Sequence, residues 1–211
     1  MTIAVGLLTC GREHLTSRTV ETFLAHNDPG RFILLHADDA SPTLENQRVA
    51  QAAGFETVYT CATRQGQMAA LWALVRAAER RGAEWVLWLE NDIEWVAEFP
   101  WRALSYGPEC VRLYGDRKAR SGPRAPSGRF LMGTKDPIVW HELGDGLERG
   151  EAHWAGQPSA TRMHVMAGLA DRAASVKQMS LAGPLDTVRV VENVCWHIGA
   201  GEGEQTQGFM A

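Results

Sequence analysis

The first hundred residues alternate between short strand-like runs and longer segments in which apolar side chains recur at helical spacing. The strand-like runs cover residues 3–8, 32–35, 56–60 and 85–89, and the helical segments cover 16–26, 42–53 and 67–81. Runs of four to eight residues have the length of buried strands, and a helix-length segment separates each pair. This alternation predicts a mostly parallel sheet with helices on both faces.

The second half of the chain is less regular. Its pattern predicts a strand over 137–140, a helix over about 163–179 and a last β-rich segment over 187–194, followed by a glycine-rich tail. The sequence shows no internal repeat and no linker that divides it cleanly. We therefore interpret the chain as a single α/β domain.

The totals fit an ordinary globular protein. The 211 residues suit one large domain or two small ones; 45% are hydrophobic and 22% are charged. A formal net charge of −4 means that any nucleic-acid surface would be local. No apolar stretch reaches the ~20 residues that span a bilayer, and the N-terminus lacks the features of a signal peptide. The four cysteines are widely separated and form no CxxC, so we expect free thiols in a cytoplasmic protein. We also expect no membrane association.

Acidic residues come directly after two of the predicted strands. Asp38 and Asp39 follow the second strand, and Glu90 and Asp92, with Asn91 between them, follow the fourth. The carboxyl ends of parallel strands share one edge of a sheet, and ligands bind at that edge. We therefore expect the two acidic clusters to converge on one site.

Crowded carboxylates repel one another and raise each other's pKa values unless a cation or hydrogen-bond donors lie between them. A divalent metal is one explanation, because Mg²⁺ and Mn²⁺ prefer oxygen ligands and commonly join carboxylates to substrate phosphates. The alternatives are a helix with favourable acids in its first turn for residues 90–94, and an aspartate-rich turn for residues 38–39.

Four segments, taken in order, resemble the GT-A glycosyltransferases, in particular their large second family. Those enzymes open with a strand that ends in Thr, a spacer and often Arg, as in Thr9-Cys10-Gly11-Arg12. Their second strand ends in a VDDGS-like turn, matched by the sequence HADDAS at 36–41. A Gly before an Ala-rich helix is matched at 64–71, and a DxD-like motif at 90–92. The resemblance implies the GT-A fold, with 1–100 as the nucleotide-sugar-binding half and 101–211 as the acceptor-binding half and C-terminal lid.

The resemblance also implies roles for residues at the nucleotide end of the site. Thr9, Arg12 and Gly66 would contribute to the nucleotide pocket. One of Asp38 and Asp39 would accept a hydrogen bond from the base, which is uracil in most donors of this family. A UDP-sugar is therefore the expected donor substrate.

The DxD-like motif and a late histidine would form the metal end of the same site. Asp92 would coordinate Mn²⁺ or Mg²⁺, and Asn91 would belong to the donor pocket. Glu90 stands where the family has Asp and would face the ribose or a metal-bound water. His197 matches the late histidine ligand of small family members, although a histidine beside Trp is also typical of an ordinary core or surface position. Thr206, in the tail, would contact the diphosphate.

Such a transfer needs charge neutralisation and, if it inverts the sugar, a general base. The metal and nearby basic groups would neutralise the departing UDP diphosphate. A carboxylate beside the acceptor hydroxyl would serve as the base, and the family takes it from the second half of the chain. Asp171 is the first choice for this role, with Glu142, Asp145 and Glu192 as alternatives.

The acceptor side is marked by a basic segment. Residues 112–135 carry seven basic side chains and one acid, a local charge of +6, which is typical of a solvated surface loop or of a loop that contacts phosphates. Together with Trp140, Trp154 and Arg162 it would suit a nucleic-acid strand with an everted base. Compact GT-A proteins also resemble phage enzymes that glycosylate hydroxymethylated pyrimidines. We therefore expect DNA bearing 5-hydroxymethylcytosine as the acceptor, with a saccharide or lipid-linked acceptor of cell-envelope synthesis as the alternative.

Two other classes of function stay open at this point. Nucleotidyltransferases use a similar sheet and acidic metal site, but they generally begin with a glycine-rich basic loop, of which only Gly11-Arg12 is present here. A non-catalytic module of the same fold would bind UDP in a metal-dependent way without releasing it from a sugar.

Overall fold

The structure is a computed structural model that describes residues 1–114, 139–154, 158–175, 178–179 and 183–198. Its strands are β1 (Ile3–Thr9), β2 (Phe32–Asp39), β3 (Glu56–Cys61), β4 (Trp85–Glu90), β5 (Ile93–Trp95), β6 (Cys110–Arg112), β7 (His141–Gly144), β8 (Leu147–His153), β9 (Ser159–Arg162), β10 (Pro184–Val190) and β11 (Cys195–His197). Its α-helices are α1 (Glu13–His26), α2 (Glu45–Ala52), α3 (Gln67–Arg80), α4 (Trp101–Ser105) and α5 (Met163–Arg172), and a 3₁₀ helix covers Pro29–Arg31.

Nine strands form one sheet in the order β3-β2-β1-β4-β9-β6-β10-β8-β7. Strands β1 to β4 are parallel, β9 runs antiparallel between β4 and β6, and β10 is parallel to β6. Strands β5 and β11 pair separately as a short antiparallel ribbon. The predicted mostly parallel sheet is confirmed, and the β4–β9 pairing joins the two halves of the chain in a single sheet.

Apolar side chains on the two faces of the sheet pack into two cores. Along β1, Ile3, Val5 and Leu7 belong to one core and Ala4 and Leu8 to the other, as the alternation of side chains along a strand requires. Helices α1 and α2 cover the first core, and α3 and α5 cover the second. Burying one Leu, Ile or Val side chain fully stabilises the fold by about 1.5–3 kcal/mol. Helices on both faces of the sheet, as predicted, allow the apolar side chains on both sides of the strands to be buried.

A row of threonines on α1 holds the chain that follows β4. Thr19 Oγ1 accepts from the backbone N–H of Ile93, and Thr22 Oγ1 accepts from that of Trp95, over 3.0 and 3.1 Å. Residues three apart on a helix lie on one face, so this row hydrogen-bonds the edge of β5 that does not pair with β11. The alternative interpretation of 90–94 as the first turn of a helix is therefore wrong, since a turn and a strand follow β4.

Several boundaries differ from the pattern-based predictions. Strand β2 continues to Asp39, so the two aspartates end the strand and do not follow it. Helix α2 begins at Glu45, later than the predicted residue 42. Helix α5 ends at Arg172, well before residue 179, and the β-rich segment 187–194 is divided between β10 and the region before β11. Residues 139–140 of the predicted strand 137–140 are not in a strand, and 137–138 lie outside the described residues.

Among the helices that the structure describes, none combines the length and apolar character needed to cross a membrane.

Candidate functional site

A cleft opens at the carboxyl ends of β1, β2 and β4, where the topology of a parallel sheet is expected to leave a ligand site. It is lined by Leu8, Thr9, Cys10, Arg12, Asp39, Arg64, Gln67, Glu90 and Asn91. Strand β1 supplies the floor, β2 and β4 supply acids on either side, and the start of α3 supplies a wall. The two acidic clusters predicted from the sequence do converge at this edge.

The two aspartates of β2 have different environments because consecutive strand residues point to opposite faces. Asp38 accepts from Thr9 Oγ1 at 2.5 Å and from the backbone N–H and hydroxyl of Ser41 at 2.7 and 2.5 Å. Asp39 instead faces the loop before α3 and accepts from the backbone N–H groups of Gln65 and Gly66 at 2.8 and 3.0 Å. Asp39 lines the cleft, whereas Asp38 fixes the turn that follows β2.

A buried histidine supports Asp38 through Thr9. The His36 Nε2 atom lies 2.9 Å from Thr9 Oγ1, and its Nδ1 atom lies 3.1 Å from Thr57 Oγ1. Because the Thr9 hydroxyl donates to Asp38, it accepts from His36, and this assigns the proton of the neutral ring to Nε2. Burial lowers the pKa of His36 to about 4, against a smaller opposite effect of the Asp38 charge. The ring is therefore neutral at physiological pH.

The turn after β1 places Arg12 beside Asp92, which comes two residues after the end of β4. Gly11 and Arg12 both have positive φ, 66° and 57°, a left-handed conformation that is uncommon for an arginine. Arg12 precedes α1, and its carbonyl accepts from Leu15 and Thr16. The Gly11 carbonyl accepts from Asn91 Nδ2 at 2.8 Å. Asn91 thus ties the end of β4 to the β1–α1 turn while it lines the cleft.

Glu90, Asp92 and His197 form a cluster at this edge. One ligand atom from each lies within 4.8 Å of the others. Asp92 is in the turn between β4 and β5, and the β5–β11 ribbon brings His197 opposite Ile93. His197 Nε2 is 3.3 Å from Asp92 Oδ2, and the N–H of Ile198 donates to the Asp92 carbonyl at 2.8 Å. Residues more than a hundred positions apart therefore meet through one short strand pair.

The chemistry and spacing of this cluster fit a divalent metal. Two carboxylates and one imidazole suit Mn²⁺ or Mg²⁺. Ligands of one Mg²⁺ ion are at most about 4.2 Å apart, so small side-chain rotations would let the three share an ion. Asp92 is 2% exposed, and among the described residues its Oδ1 atom has no hydrogen-bond partner. A buried carboxylate oxygen without a donor is destabilising unless a cation satisfies it.

Comparisons of the structure with solved structures identify proteins of the same architecture. A segment of TarS from S. aureus aligns with a TM-score of 0.66 and 11% identity, over 94% of this chain and 61% of that segment. The same segment solved with UDP-GlcNAc aligns with a TM-score of 0.64 and 13% identity, over 95% of this chain and 61% of that one. A mannose-1-phosphate geranyltransferase from Thermus thermophilus aligns with a TM-score of 0.52 and 15% identity, over 94% of this chain and 77% of that one.

The chain has the GT-A fold. It spans about three fifths of the TarS segment and 36% of a longer TarS structure. No protein-family model matches the sequence, and no curated protein matches it either. The likeness is one of fold, at 11–15% identity.

Most of the predicted site residues meet in this GT-A cleft. Thr9, Arg12, Asp39, Glu90 and Asn91 line it. Asp92 and His197 stand next to it through their contact with Arg12 and with each other. Asp38 and Gly66 do not line the cleft but contact residues that do. Asp38 hydrogen-bonds Thr9, and Gly66 hydrogen-bonds Asp39.

Asp171, the first choice for the general base, does not join this group. It lies on α5 and accepts from Arg76 Nη2 on α3 over 2.6 Å, with about half of its side chain exposed. Arg76 is nine residues beyond Gln67, which is about 13 Å along the helix from the end of α3 that meets the cleft. Asp171 is therefore far from the metal cluster.

The alternative acids occupy different parts of the second half. Glu142 is exposed on β7, the outermost strand, and Asp145 is in the β7–β8 turn, where it pairs with Arg102. Glu192 is exposed on the segment between β10 and β11, five residues before His197. Of the four acids, Glu192 is the one whose chain leads into the cluster.

The predicted acceptor surface is only partly described. Most of the basic segment, residues 115–135, and Thr206 lie outside the described residues. Trp154 is 1% exposed and its Nε1 donates to Thr161, so its predicted role as a stacking surface is wrong and it is a core residue. Trp140 is half-buried beneath the guanidinium of Arg189, at 4.2 Å. Arg162 packs over Trp85 and donates to the Pro108 carbonyl.

Besides the apolar Leu8, three further residues line the cleft without having been predicted from the sequence. Gln67, the first residue of α3, donates to Glu90, and Arg64, in the loop between β3 and α3, lies 3.9 Å from Asp39. Cys10 is next to Thr9 on the β1 side, and burial is the main cause of the raised pKa of its thiol. The signal that would have found them is position: each follows the carboxyl end of a strand or begins the helix that comes after one.

Proposed function

We propose that this protein is a metal-dependent glycosyltransferase that takes its sugar from a UDP-sugar. The observation that carries the proposal is the cluster of Glu90, Asp92 and His197 at the mouth of the GT-A cleft lined by Asp39 and Arg12. The metal cluster would bind the diphosphate of a nucleoside diphosphate, and the polar cleft beside it would bind the base. The fold, shared with a TarS segment that was solved with UDP and with UDP-GlcNAc, supports this class of donor.

At the metal end, Asp92, His197 and Glu90 would hold Mn²⁺ or Mg²⁺. A bound divalent ion would supply positive charge to the diphosphate that leaves the sugar. Arg12 and Arg64 line the same cleft and would add positive charge near the diphosphate. Since Asp92 is buried, its carboxylate interacts in a less screened environment than a surface acid would.

At the nucleotide end, Asp39 would accept a hydrogen bond from the N–H of the base. Its carboxylate is held by the backbone N–H groups of Gln65 and Gly66, which leaves it oriented towards the cleft. The Thr9–Asp38–Ser41 hydrogen bonds keep the turn after β2 in place. The chain would therefore bind a uracil base with a preorganised acceptor, at little entropic cost on binding.

For the acceptor we propose DNA that carries 5-hydroxymethylcytosine. The support is the +6 charge of residues 112–135, since neutralising phosphates with Lys and Arg is the main source of affinity for DNA. A saccharide or lipid-linked acceptor is the alternative, and it predicts no salt-dependent binding of duplex DNA. A nucleotidyltransferase would instead release pyrophosphate from a nucleoside triphosphate, which separates that class from a glycosyltransferase.

The replacement Asp92→Asn tests the metal site. It removes a charge from the cluster and keeps the size of the side chain, so we expect release of UDP from UDP-sugars in the presence of Mn²⁺ to fall at least about a hundredfold. The assay measures UDP across a panel of UDP-sugars, with and without DNA containing hydroxymethylcytosine. The matched control is Asp186→Asn, an acid on β10 that does not line the cleft and pairs with Arg149. Full activity in Asp92→Asn would remove the proposed metal role.

The DNA proposal has its own measurement. Electrophoretic mobility of duplex DNA with the protein is titrated against salt, and the apparent affinity is expected to fall steeply as salt rises. Binding that is absent at low salt would exclude DNA as the acceptor and would leave the donor site unaffected.

A further inference from the structure

The guanidinium of Arg12 contacts one member of the candidate metal cluster, Asp92. Its Nη1 atom donates to Asp92 Oδ2 over 2.7 Å, and His197 Nε2 is 3.3 Å from the same oxygen. The Asp92 carboxylate is also one of the three groups that could hold an ion. A cation bound to this carboxylate would therefore lie close to the guanidinium, and their like charges repel.

The backbone of Arg12 is fixed, whereas its side chain borders open space. The residue precedes α1 in a left-handed conformation and its carbonyl accepts the first hydrogen bonds of that helix, from Leu15 and Thr16. Its side chain lines the cleft and is 13% exposed, compared with 3% for Asp92. Movement of Arg12 away from Asp92 thus requires only side-chain rotation.

A diphosphate in the cleft would offer Arg12 a different partner. Arginine binds phosphate oxygens through the same pair of N–H groups that it uses for carboxylates. Transfer of the guanidinium from Asp92 to the diphosphate would leave the Asp92 carboxylate to the metal. Binding of nucleotide and binding of metal would then favour each other, and this coupling is reciprocal.

We propose that Arg12 is an internal counter-ion that holds Asp92 while the donor is absent and lowers the affinity of the site for a divalent metal until a nucleotide diphosphate draws the guanidinium away. This inference rests on the proposed function, because it assumes that the cluster takes a metal and the cleft a diphosphate. It assigns Arg12 a positioning role that orders donor and metal binding.

The competing interpretation is that the Arg12–Asp92 ion pair only stabilises the packing of α1 against the end of β4. A second pair, from within α1, provides the comparison: Arg18 Nη2 donates to Glu94 Oε1 over 2.6 Å, again from a more exposed arginine to a buried acid. Glu94 is outside the metal cluster. Removing Arg18 therefore changes helix–strand contact and net charge without freeing a metal ligand.

The experiment measures the dissociation constant of Mn²⁺ by the electron paramagnetic resonance signal of free Mn²⁺, first without nucleotide. Arg12→Asn removes the charge and suits the backbone, because Asn tolerates a left-handed conformation better than most residues. We expect Mn²⁺ to bind Arg12→Asn about tenfold more tightly than the wild type, within the usual range of coupling between two sites. Arg18→Asn is expected to bind Mn²⁺ as the wild type does.

Added UDP provides the second part of the test. UDP is expected to increase the Mn²⁺ affinity of the wild type by a larger factor than that of Arg12→Asn, in which no guanidinium has to move. Equal or weaker Mn²⁺ binding by Arg12→Asn without nucleotide would overturn the inference, and so would an equal increase in Arg18→Asn. In either case Mn²⁺-dependent UDP binding would leave the proposed function standing. Absence of both Mn²⁺ and UDP binding in the wild type would overturn both.

A measurement on the unmodified protein covers the case in which Arg12→Asn does not fold. The guanidinium ¹⁵N signals of Arg12 are followed by nuclear magnetic resonance as Mg²⁺ and UDP are added to the wild type. The inference expects the signals of the Asp92-bound state to be replaced on saturation. Signals that stay unchanged at saturating Mg²⁺ and UDP would contradict it.

Discussion

At the scale of single residues, the site depends on which of two neighbouring acids faces the cleft. Asp38 and Asp39 are equivalent in the sequence motif, but Asp38 binds Thr9 and Ser41 whereas Asp39 binds the loop before α3. The sequence indicated that one of them would contact a ligand. The choice follows from the side of β2 to which each points, and this depends on where the strand begins and ends.

His36 leads to a prediction about pH. Its pKa is about 4 in the folded protein, mainly through burial, and 6.5 is its ordinary value. Between these values the unfolded chain binds a proton that the folded chain does not, so stability is complete above pH 6.5 and is lost as the pH falls towards 4. We expect His36 alone to account for a loss on the order of 3 kcal/mol across this window.

Urea unfolding at pH 7, 5.5 and 4.5 checks this prediction in the wild type and in His36→Gln. Glutamine retains an N–H donor for Thr9 but does not titrate, so its free energy of unfolding is expected to fall less over the same window. Acids elsewhere titrate equally in both proteins and cancel in the comparison. The same pH dependence in both would show that His36 does not carry the effect.

At the scale of elements, one glycine position explains how helix α3 meets the edge of the sheet. Gly66 precedes α3 with φ 92° and ψ 157°, a conformation accessible almost only to glycine. Directly before the helix, the N–H groups of Gln65 and Gly66 donate to Asp39. The helix boundary at Gly66 was readable from the sequence, but its function as a clamp on Asp39 was not, because the clamp is made by backbone atoms.

The replacement Gly66→Ala is expected to lower the free energy of unfolding by about 1–3 kcal/mol. An added methyl group would meet no atom within 4 Å, so the cause is backbone conformation and not a clash. Because the loop also holds Asp39, the dissociation constant for UDP is expected to rise. Chemical unfolding and calorimetric titration with UDP measure the two effects.

Gly168→Ala on α5 is the control for Gly66→Ala. Gly168 lies inside a helix, and a methyl group there would meet its nearest atom, at the end of the Arg172 side chain, at 3.7 Å. Alanine in a helix interior is favoured by roughly 0.5–1 kcal/mol over glycine. Gly168→Ala is therefore expected to stabilise the protein and leave UDP binding unchanged. A destabilising effect equal to that of Gly66→Ala would contradict the backbone explanation.

At the scale of the whole molecule, the metal cluster joins the two halves of the chain. Glu90 and Asp92 come from the end of β4, whereas His197 comes from β11, near the end of the described residues. The pairing of β11 with β5 and the hydrogen bond from Ile198 to Asp92 bring them together. The second half therefore contributes to the same site as the first, although the resemblance to glycosyltransferases covered mainly residues 1–100.

His197→Ala tests this long-range assembly. Loss of the imidazole is expected to raise the dissociation constant for Mn²⁺ at least about tenfold in the presence of UDP, while the free energy of unfolding changes by only about 1 kcal/mol because the side chain is 21% exposed. Electron paramagnetic resonance and urea unfolding measure the two quantities. Trp196→Phe is the neighbouring control. Unchanged Mn²⁺ binding by His197→Ala would show that the histidine is not a ligand.

The sequence by itself determined the alternation of β1 to β4 with α1 to α3 and the position of acids at strand ends, because hydrophobic periodicity and turn residues act over short distances. Only the tertiary structure decided that Asp39 and not Asp38 faces the cleft, that Arg12 pairs with Asp92, and that Asp171 lies far away on α5. It also decided that Trp154 is core. Such outcomes depend on which distant segments pair and which face each side chain takes, and local patterns carry no information about either.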